Sequence, residues 1–562
     1  MAQTTLSGSS TTGKKERTTA EMLAEKQQSI SISEFFTKNR HLLGFDNPRK
    51  ALLTTVKEAV DNSLDACQEM KVLPEIRVIL DETAPERYKI TVEDNGPGIV
   101  KQQIPNIFAK LLYGSKFHRL RQSRGQQGIG ISAAALYGQL TTGKPIRIIS
   151  KIGPKQKAHY YELHLNTKTN EPEITIDEER EWEGKDHGTK VQIELEGKYQ
   201  QGKLSVDEFL QLTAISNPEA TIIYKAPGAE AIEFARASKD LPGEAREIQP
   251  HPYGVELGTL MRMLRDTKAP SLQSFLQQDF CRVSASVAKE ICDKAELEER
   301  LKPSAISRDQ VEKIFNAIKQ VKIMAPPTDC LSPIGEEQML KGLKKEINAE
   351  FYAAVTRPPV VYRGFPFQFE VAIAYGGDLP KDEFARVIRY ANRVPLQHQP
   401  GACALTRSII QTAWKNYGVS QSKGTLPTGP LVVMVHMASV WVPFTSESKE
   451  AVASYPEIIK EVRLALQDAG RKLASYIRKT VKAREQQERV GLFEKYIPEL
   501  AGALATLTGE NKKELQEELE KILKKGLKDL LAEVKEAEQT EIRGKNVAYG
   551  EKQETLGEAD HE

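Results

Sequence analysis

The chain has 562 residues and a mass of 62.8 kDa, which at roughly 150 residues per domain predicts three or four domains. Hydrophobic residues make up 40% and charged residues 28%, a globular balance that excludes a wholly disordered chain. Lys and Arg number 79 against 77 Asp and Glu, so the net charge of +2 excludes a uniformly basic nucleic-acid coat but not a local basic patch.

Several kinds of site and segment are missing from the sequence. There is no run of about 18 apolar residues and no apolar signal-peptide core, so we expect no membrane span and a cytoplasmic location. The five cysteines form no CxxC pair, which argues against a zinc ribbon and predicts reduced thiols. HExxH, GxSxG and DxD patterns are absent too, and the lack of DxD argues against the Mg²⁺ site of DNA-cleaving folds.

Residues 1–30, rich in Ser, Thr and Lys, predict a flexible N-terminal arm, and residues 31–240 mix helical and strand patterns as an α+β domain does. An amphipathic helix is predicted from Pro48 to Met70. Its apolar face consists of Leu52, Leu53, Val56, Val60, Leu64 and Cys67. On the other face Glu58 and Asn62 lie one turn apart, which suits a carboxylate that polarises water beside an amide oxygen that ligates Mg²⁺. A solvated helix face is the commoner explanation of this helix alone.

Two strands, Glu75–Leu80 and Tyr88–Glu93, are predicted next, and the second leads into the sequence DNGPG at 94–98. Asp94, at the strand end, is placed to accept a hydrogen bond from an exocyclic amine such as that of adenine. Gly96 and Gly98 allow the backbone to approach a ligand closely. A simple turn explains the same residues, because DNG is common in turns.

A glycine-rich loop at 125–131 (GQQGIGI) opens a predicted helix, an arrangement that offers backbone N–H groups to phosphates. The spacing is GxxGxG, and no parallel βαβ unit precedes it, so a dinucleotide-binding site is disfavoured. The sequence GQLTTGK at 138–144 fits GxxxxGK, but Pro145 stands where a P-loop needs Ser or Thr.

Four motifs occur in order within about 130 residues: ExxxN, DxGxG, GxxGxG and Gly188-Thr189 in HGTKV. This order resembles the Bergerat fold of the gyrase, heat-shock chaperone, histidine-kinase and mismatch-repair (GHKL) ATPases. The resemblance implies that Glu58 is the general base, Asn62 the Mg²⁺ ligand and Asp94 the adenine contact, with Gly96 and Gly98 shaping the adenine pocket and Thr189 supporting adenine through water. It assigns the triphosphate of ATP to Ser115, Lys116, Arg124, Gly125, Gln126, Gln127, Gly128, Ile129, Gly130 and Ile131.

The rest of the chain divides by pattern. Residues 225–250, rich in Ala, Pro, Gly and charge, predict a linker, and 250–326 show only helical periodicity. After a stiff Ala-Pro-Pro joint at 325–327, a second α+β region is predicted at 327–500, with strands at 367–375 and 430–438 and a long helix from about Tyr455. A charged helical tail is expected at 501–562, its end disordered.

From about Ser33 to about 500 the chain resembles the B subunits of type IIB DNA topoisomerases, the topoisomerase VI family, in phrases such as HPYGVELGTL, ANRVPL and VPFTSESKEA. The resemblance implies a Bergerat-type α/β sandwich, a helix–two-turn–helix domain, and a transducer domain with a left-handed ribosomal-type βαβ crossover and a long C-terminal helix. Lys449 would reach the γ-phosphate from the transducer. The sequence WKNY at 414–417 resembles a DNA-contacting motif of the family, although core packing of its aromatic residues is the commoner explanation.

The implied function is an ATP- and Mg²⁺-dependent gate that dimerises on ATP binding and passes one double-stranded DNA through a break in another. A separate A subunit would cleave the DNA, two copies of each chain would form an A2B2 heterotetramer, and the assembly would relax and decatenate DNA at the nucleoid. The alternative is a GHKL ATPase of chaperone or mismatch-repair type that needs no DNA-cleaving partner. A histidine kinase is rejected, because no His precedes His41, and the intact Glu58 and Asn62 disfavour a decayed, non-enzymatic scaffold.

Overall fold

The computed structural model describes residues 27, 29–116, 119–125, 128–446 and 448–523. Most of the predicted N-terminal arm, Gln126, Gln127 and the end of the predicted tail therefore lie outside the described residues. The chain divides into two compact units, Met1–Leu473 and Ala474–Glu562, and the features discussed below lie in the first unit unless stated otherwise.

An eight-stranded sheet forms the first part of the fold. Its strands are β1 (Glu75–Ala84), β2 (Arg87–Glu93), β3 (Ile146–Lys151), β4 (Ala158–Leu165), β5 (Pro172–Arg180), β6 (Gly188–Glu196), β7 (Thr221–Lys225) and β8 (Ala231–Phe234). They lie in the order β5-β4-β3-β6-β2-β1-β7-β8, antiparallel except for the parallel pair β1 and β7. Val78 on β1 pairs with Val92 on β2, and both side chains enter the core. The two strands predicted at 75–80 and 88–93 are confirmed.

The helices of this part are α1 (Ile32–Lys38), α2 (Pro48–Met70), α3 (Ile104–Ala109), α4 (Gly130–Thr142) and α5 (Val206–Ser216). The bounds predicted for α2 are confirmed, because its ends carry clear signals. The Asn47 side chain accepts the Lys50 N–H, Pro48 occupies the first helical position, and Lys71 ends the helix in the left-handed conformation. The six residues of its predicted apolar face are all buried, so this face builds the core.

The predicted linker at 225–250 is wrong in its first part. Pro227 and Gly228 lie in a tight turn, in which Gly228 has φ +67°. After the turn β8 returns antiparallel to β7 at the edge of the sheet. A short, exposed edge hairpin has the same Pro, Gly, Ala and charge content as a linker, so composition did not separate the two.

Residues 251–325 form four helices, as the periodicity predicted: α6 (Leu257–Asp266), α7 (Leu272–Gln278), α8 (Ala285–Ala295) and α9 (Arg308–Gln320). Side chains of Ser271, Ser284 and Ser307 cap α7, α8 and α9. The helices bury an apolar core of their own, with Phe275 and Ile314 fully buried.

Helix α10 (Glu336–Glu346) leads into a six-stranded sheet made of β9 (Phe351–Thr356), β10 (Val360–Tyr362), β11 (Phe365–Tyr375), β12 (Arg386–Ala391), β13 (Val394–Pro395) and β16 (Leu431–Ser439). Its order is β10-β11-β16-β12-β13, with β9 paired to β11. Strands β12 and β16 are parallel neighbours, and the connection between them contains α11 (Ala404–Gln411) and the small ribbon of β14 (Ser420–Gln421) and β15 (Pro427–Thr428). The α+β class and the strands predicted at 367–375 and 430–438 are confirmed, whereas the hand of the crossover stays a prediction.

The long helix α12 (Pro456–Thr508) begins one residue after the predicted Tyr455 and runs through the boundary between the two units. It also passes position 500, where we expected the tail to begin, and residues 512–523 form another helical stretch. The predicted domain boundaries stay predictions. No helix in the described part of the chain is both long and apolar enough to cross a bilayer.

Hydrogen bonds between α5 and the end of β12 connect the two sheets. The Tyr390 hydroxyl donates to the Leu212 carbonyl at 2.8 Å, and the Ser216 hydroxyl donates to the Arg393 carbonyl at 2.7 Å. All four residues are buried, so these bonds are protected from water. The end of β12 is therefore held in a fixed position against the first sheet.

At position 98 the surrounding backbone leaves no room for a side chain. Gly143, which has a similar backbone conformation but open space around it, provides a matched control. Both have positive φ, +71° and +68°, but a Cβ on Gly98 would lie 2.1 Å from the Lys151 carbonyl oxygen, whereas a Cβ on Gly143 would meet nothing within 4 Å. We expect Gly143→Ala to cost about 1 kcal/mol for the left-handed backbone, and Gly98→Ala about 1–3 kcal/mol more for the clash. Urea unfolding of both variants tests this, and equal losses would contradict it.

Candidate functional site

A cavity of about 330 Å³ opens between α2, α4 and a loop that follows the second sheet, a size that suits a small-molecule ligand. Most of the predicted site residues line it: Glu58, Asn62, Asp94, Gly98, Ser115, Lys116, Gly125, Gly128, Ile129, Gly130, Ile131, Thr189 and Lys449. Gly96 and Arg124 do not line it, and Gln126 and Gln127 lie outside the described residues.

Asp94 is held rigidly at the end of β2. One carboxylate oxygen accepts the Ser63 hydroxyl at 2.8 Å, and the other accepts the N–H groups of Gly96 at 2.9 Å and Thr189 at 3.2 Å. The side chain is 6% exposed, and burial raises its pKa despite these bonds. Gly96 thus acts beneath the cavity by orienting the carboxylate. Thr189, the second residue of β6, orients the same carboxylate through its backbone N–H. Its hydroxyl lies 3.2 Å from the hydroxyl of Ser150.

The carboxylate of Glu58 packs directly on the glycine-rich loop. A Cβ on Gly130 would lie 1.7 Å from Glu58 Oε2, so a side chain at position 130 would displace the Glu58 carboxylate. On the same helix, Asn62 points at Gly125, whose Cβ would lie 3.8 Å from Asn62 Oδ1. Helix α4 begins at Gly130, and the preceding residue, Ile129, has no side chain that can cap the N–H groups of the first turn. The structure therefore brings the predicted base, the predicted metal ligand and a phosphate-compatible helix start to one place.

Lys116 and Arg124 share one buried carboxylate. Asp65 lies two turns beyond Glu58 on α2 and receives Lys116 Nζ at 2.6 Å and Arg124 Nη1 at 2.8 Å. Burial would raise the pKa of Asp65, but the two cations outweigh it and lower the pKa to about 2. Lys116 still lines the cavity, whereas Arg124 is 8% exposed and lines a neighbouring cavity. A direct contact of Arg124 with a phosphate stays a prediction.

Lys449 reaches the cavity from the loop that follows β16. It has φ +54°, and its N–H donates to the Ser446 carbonyl at 3.1 Å. The next residue, Glu450, is paired with Lys50 of α2 at 2.5 Å, and its other oxygen accepts the Gln399 amide at 2.6 Å. These contacts hold the Lys449 loop over the helix that carries Glu58.

Sequence reasoning missed several residues of the site. Asp61 and Ser63 flank Asn62 in the chain, so the helical pattern already placed them beside a predicted site residue. Asp61 is buried, and burial together with neighbouring Glu58 raises its pKa to about 7. Gln397 and His398 also line the cavity but come from the second sheet region, and no local pattern marks them.

The WKNY sequence is mainly structural. It forms a 3₁₀ turn in which Trp414 is fully buried and its ring N–H donates to the Ile409 carbonyl at 2.8 Å, so the core-packing alternative is confirmed for this residue. Lys415 is exposed. All five cysteines are free thiols, as predicted, and no group of three or more His, Cys, Asp or Glu side chains in the described ranges is arranged to hold a metal.

Two family models match the chain. The model described as "Topoisomerase VI B subunit, transducer" matches residues 326–489, and the model described as "Histidine kinase-, DNA gyrase B-, and HSP90-like ATPase" matches residues 47–198. The second range contains Glu58, Asn62, Asp94 and Thr189, and the first contains Lys449. The cavity is therefore built from both matched regions.

The chain is also similar to proteins named as the B subunit of type 2 DNA topoisomerase 6. The one from Methanococcoides burtonii is 53% identical over 487 residues, covering 86% of this chain and 78% of the relative. The one from Methanosarcina mazei is 50% identical over 487 residues, with the same two coverages. The one from Pyrococcus furiosus is 38% identical over 535 residues, covering 87% of this chain and 93% of the relative.

Asp65→Asn tests the shared carboxylate. Because the pKa of Asp65 lies below its ordinary value of 3.8, its charge stabilises the fold above about pH 4, and this stabilisation is lost as pH falls toward 2. The shift corresponds to roughly 2 kcal/mol at pH 7. We expect urea unfolding of Asp65→Asn at pH 7 to show a free energy of unfolding lower than that of the wild type by this amount. The difference should become smaller below pH 4. The control is Asp81→Asn, which breaks the partly exposed pair with Lys89 and should lower the free energy of unfolding by less than about 1 kcal/mol. If the stability lost in Asp65→Asn stayed constant down to pH 2, the lowered pKa of Asp65 would be contradicted.

Proposed function

The chain belongs to the family of type 2 DNA topoisomerase 6 B subunits, and on that premise we propose that it binds and hydrolyses ATP to drive one DNA duplex through another. The observation that carries the proposal is the convergence of Glu58, Asn62, Asp94 and Lys449 on one cavity. These residues come from two parts of the chain that match different family models.

In this proposal adenine enters the deep end of the cavity, where Asp94 accepts its exocyclic amine. Burial and three hydrogen bonds hold this carboxylate in one orientation, so little ordering is needed when the base binds. The phosphates lie at the other end, against the glycine-rich loop and the first turn of α4, whose N–H groups favour negative charge. Ser115 and Lys116 also line the cavity and would add a hydroxyl and a cation for the phosphates.

Glu58 is the proposed general base. Its carboxylate lies at the start of α4, next to where the γ-phosphate would be held, and a carboxylate there can take a proton from the attacking water. General-base catalysis contributes about 10²–10⁴-fold to a rate. The residue that packs against Glu58 is Gly130, which has no side chain. The backbone of the glycine-rich loop therefore limits the movement of the carboxylate on that side.

The donor set fits Mg²⁺ bound together with a nucleotide. Asn62 offers a hard amide oxygen beside Glu58, and the described side chains form no cage of three acids or histidines. Mg²⁺ is usually held by one or two protein oxygens together with substrate phosphates and water, which is what this arrangement provides. When bound, the ion would offset negative charge on the phosphates.

Lys449 is the proposed switch between the two parts of the first unit. As a cation on a loop anchored by Glu450 to α2, it would bind the γ-phosphate from the side of the second sheet. ATP would then tie the two sheets together, and hydrolysis would release them. We propose that the closed form dimerises with a second copy and so captures a DNA segment.

The proposed partner is a separate A subunit that cleaves the DNA, in an A2B2 assembly acting at the nucleoid. The relatives are named as B subunits of a type 2 DNA topoisomerase, which supports both a partner and a DNA substrate. Residues 31–240 would be the ATPase domain, 250–326 the helix–two-turn–helix domain, 327–500 the transducer and 501–562 the tail. Family membership favours this function over an ATPase of chaperone or mismatch-repair type.

Glu58→Ala should leave nucleotide binding intact and reduce ATP hydrolysis at least about 100-fold, since the general base is lost. Binding of a fluorescent ATP analogue and steady-state hydrolysis measure the two effects separately. Glu82→Ala, which removes an exposed carboxylate on β1 outside the cavity, is the control and should hydrolyse ATP normally. Wild-type turnover by Glu58→Ala would remove Glu58 from this role.

Lys449→Ala should bind ATP but lose ATP-driven dimerisation, because the cation that links the second sheet to the γ-phosphate is missing. Analytical ultracentrifugation with a non-hydrolysable ATP analogue measures the dimer. Lys423→Ala, an exposed lysine in a surface loop, should dimerise like the wild type. Unchanged dimerisation of Lys449→Ala would exclude the switch.

Relaxation of supercoiled plasmid tests the function as a whole. We expect no relaxation by this chain alone or by a topoisomerase VI A subunit alone, and ATP-dependent relaxation when the two are combined. The Glu58→Ala chain combined with the A subunit is the negative control. Relaxation by the chain alone would overturn the proposed division of labour.

A further inference from the structure

Two more cavities lie beside the first one and share wall residues with it or with each other. The second, of about 280 Å³, shares Lys57, Glu58, Asn62 and Lys449 with the first. The third, of about 470 Å³, shares Ser123, Arg124 and Asn392 with the second. The second cavity therefore adjoins both the first cavity and the third, and Glu58 lies in its wall.

Three residues in the wall of the third cavity each carry a buried donor that has no hydrogen-bond partner among the described residues. They are Nε of Arg124, Nε of Arg393 and the hydroxyl of Ser332. The three residues are 8%, 4% and 4% exposed. A buried donor without a partner destabilises a protein, and a charged one does so more strongly, so three in the wall of one cavity indicate a missing acceptor.

The wall of the third cavity contains six cationic residues, at 71, 116, 119, 121, 124 and 393, against three acids, Asp65, Glu69 and Glu244, and this excess of positive charge favours an anion as that acceptor. Two of these residues come from different parts of the fold, Arg124 from the lid, the segment that joins α3 to α4, and Arg393 from the turn after β12, and their acidic partners are Asp65 at 2.8 Å and Glu219 at 3.7 Å. Arg119 and Arg121 lie at its rim, where their described acidic partners are Glu247 at 3.9 Å and Glu69 respectively. Arginine presents its N–H donors in a planar fork that matches phosphate oxygens.

Cationic side chains in the wall of the second cavity suit it to conduct the same anion from the first cavity to the third. Lys57, Lys449 and Arg124 line it, so a negative group that leaves the first cavity meets a cation at each stage. Asp61 and Glu58 line the same cavity, and Asp61 is only 6% exposed. A small anion fits this path, whereas the rest of the nucleotide would remain in the first cavity.

We propose that the third cavity binds inorganic phosphate, and that phosphate cleaved from ATP reaches it through the second cavity. The first part stands on the unpartnered donors alone, and the second part rests on the proposed ATPase function. In the hydrolysis step, water adds to the γ-phosphorus, the bond to the bridging oxygen of ADP breaks, and the products are ADP and phosphate. Leaving by this path, phosphate does not need to pass the bound ADP.

Direct binding tests the first part. The full chain is saturated with a non-hydrolysable ATP analogue, so that the first cavity is filled, and binding of ³²P-labelled inorganic phosphate is measured by equilibrium dialysis. We expect the wild type to bind phosphate and Ser332→Ala to bind it about tenfold more weakly, as loss of one charge-assisted hydrogen bond predicts. Ser332→Ala removes no hydrogen bond within the described part of the chain, because Ser332 bonds to Gln122 through its backbone.

Thr406→Val is the matched control, since the Thr406 hydroxyl is equally buried and unpartnered among the described residues but lies in α11, away from the three cavities. It should bind phosphate like the wild type. No phosphate binding by the analogue-bound wild type, or equal binding by all three proteins, would mean that water fills the cavity and would overturn the proposal.

A single-turnover experiment tests the route. Quenched-flow gives the rate of ATP cleavage, and a fluorescent phosphate sensor gives the rate of phosphate release. We expect release to lag behind cleavage in the wild type and in Thr406→Val, and the lag to shorten about tenfold in Ser332→Ala with the cleavage rate unchanged. An identical lag in all three would exclude the route. Failure of the chain to bind or cleave ATP would instead contradict the proposed function. In that case, equilibrium dialysis with labelled phosphate and no ATP analogue would still show whether the third cavity binds phosphate.

Discussion

Helix α2 imposes the constraint on which the site depends, because it carries three acidic side chains along one face while its other face builds the core. Glu58, Asp61 and Asp65 follow one another within two turns, and Asp61 and Asp65 are fully withdrawn from water. Like charges at this spacing repel, and burial adds to the cost. The chain resolves the conflict in two ways: two cations neutralise Asp65, and the pKa of Asp61 rises to about 7.

The cations that stabilise this helix come from segments beside the proposed nucleotide site. Lys116 and Arg124 both lie in the lid, and Lys50 connects the N-terminal turn of α2 to Glu450 beside Lys449. The electrostatics of one helix therefore link the lid and the loop after β16. A bound phosphate that attracts Lys116 would compete with Asp65 for it, which gives the ligand a differential interaction with two arrangements of the lid.

Local sequence patterns were sufficient for α2, for the strand pairs around Asp94 and for the four helices at 257–320, because capping residues and periodicity act over a few positions. They failed at β8, where an edge hairpin has the composition of a linker. They also missed Gln397, His398 and Ser332, which reach their cavities only through the packing of the second sheet on the first. Arg124 shows the same limit: a motif places it in the loop, but the partner of its side chain, Asp65, depends on the tertiary fold.

The near-neutral net charge has a structural meaning that a count of residues does not give. Lys50, Lys116, Arg124 and Arg393 are each paired with an acid inside the first unit, at Glu450, Asp65 and Glu219. A buried pair contributes little to the field outside the protein, so these cations are not available to the phosphates of a DNA backbone. Contact with DNA would fall to exposed cations such as Lys415, which sits beside the buried Trp414 that fixes its position. In the proposed mechanism the internal cations instead bind single phosphate groups, one at the nucleotide and one in the third cavity.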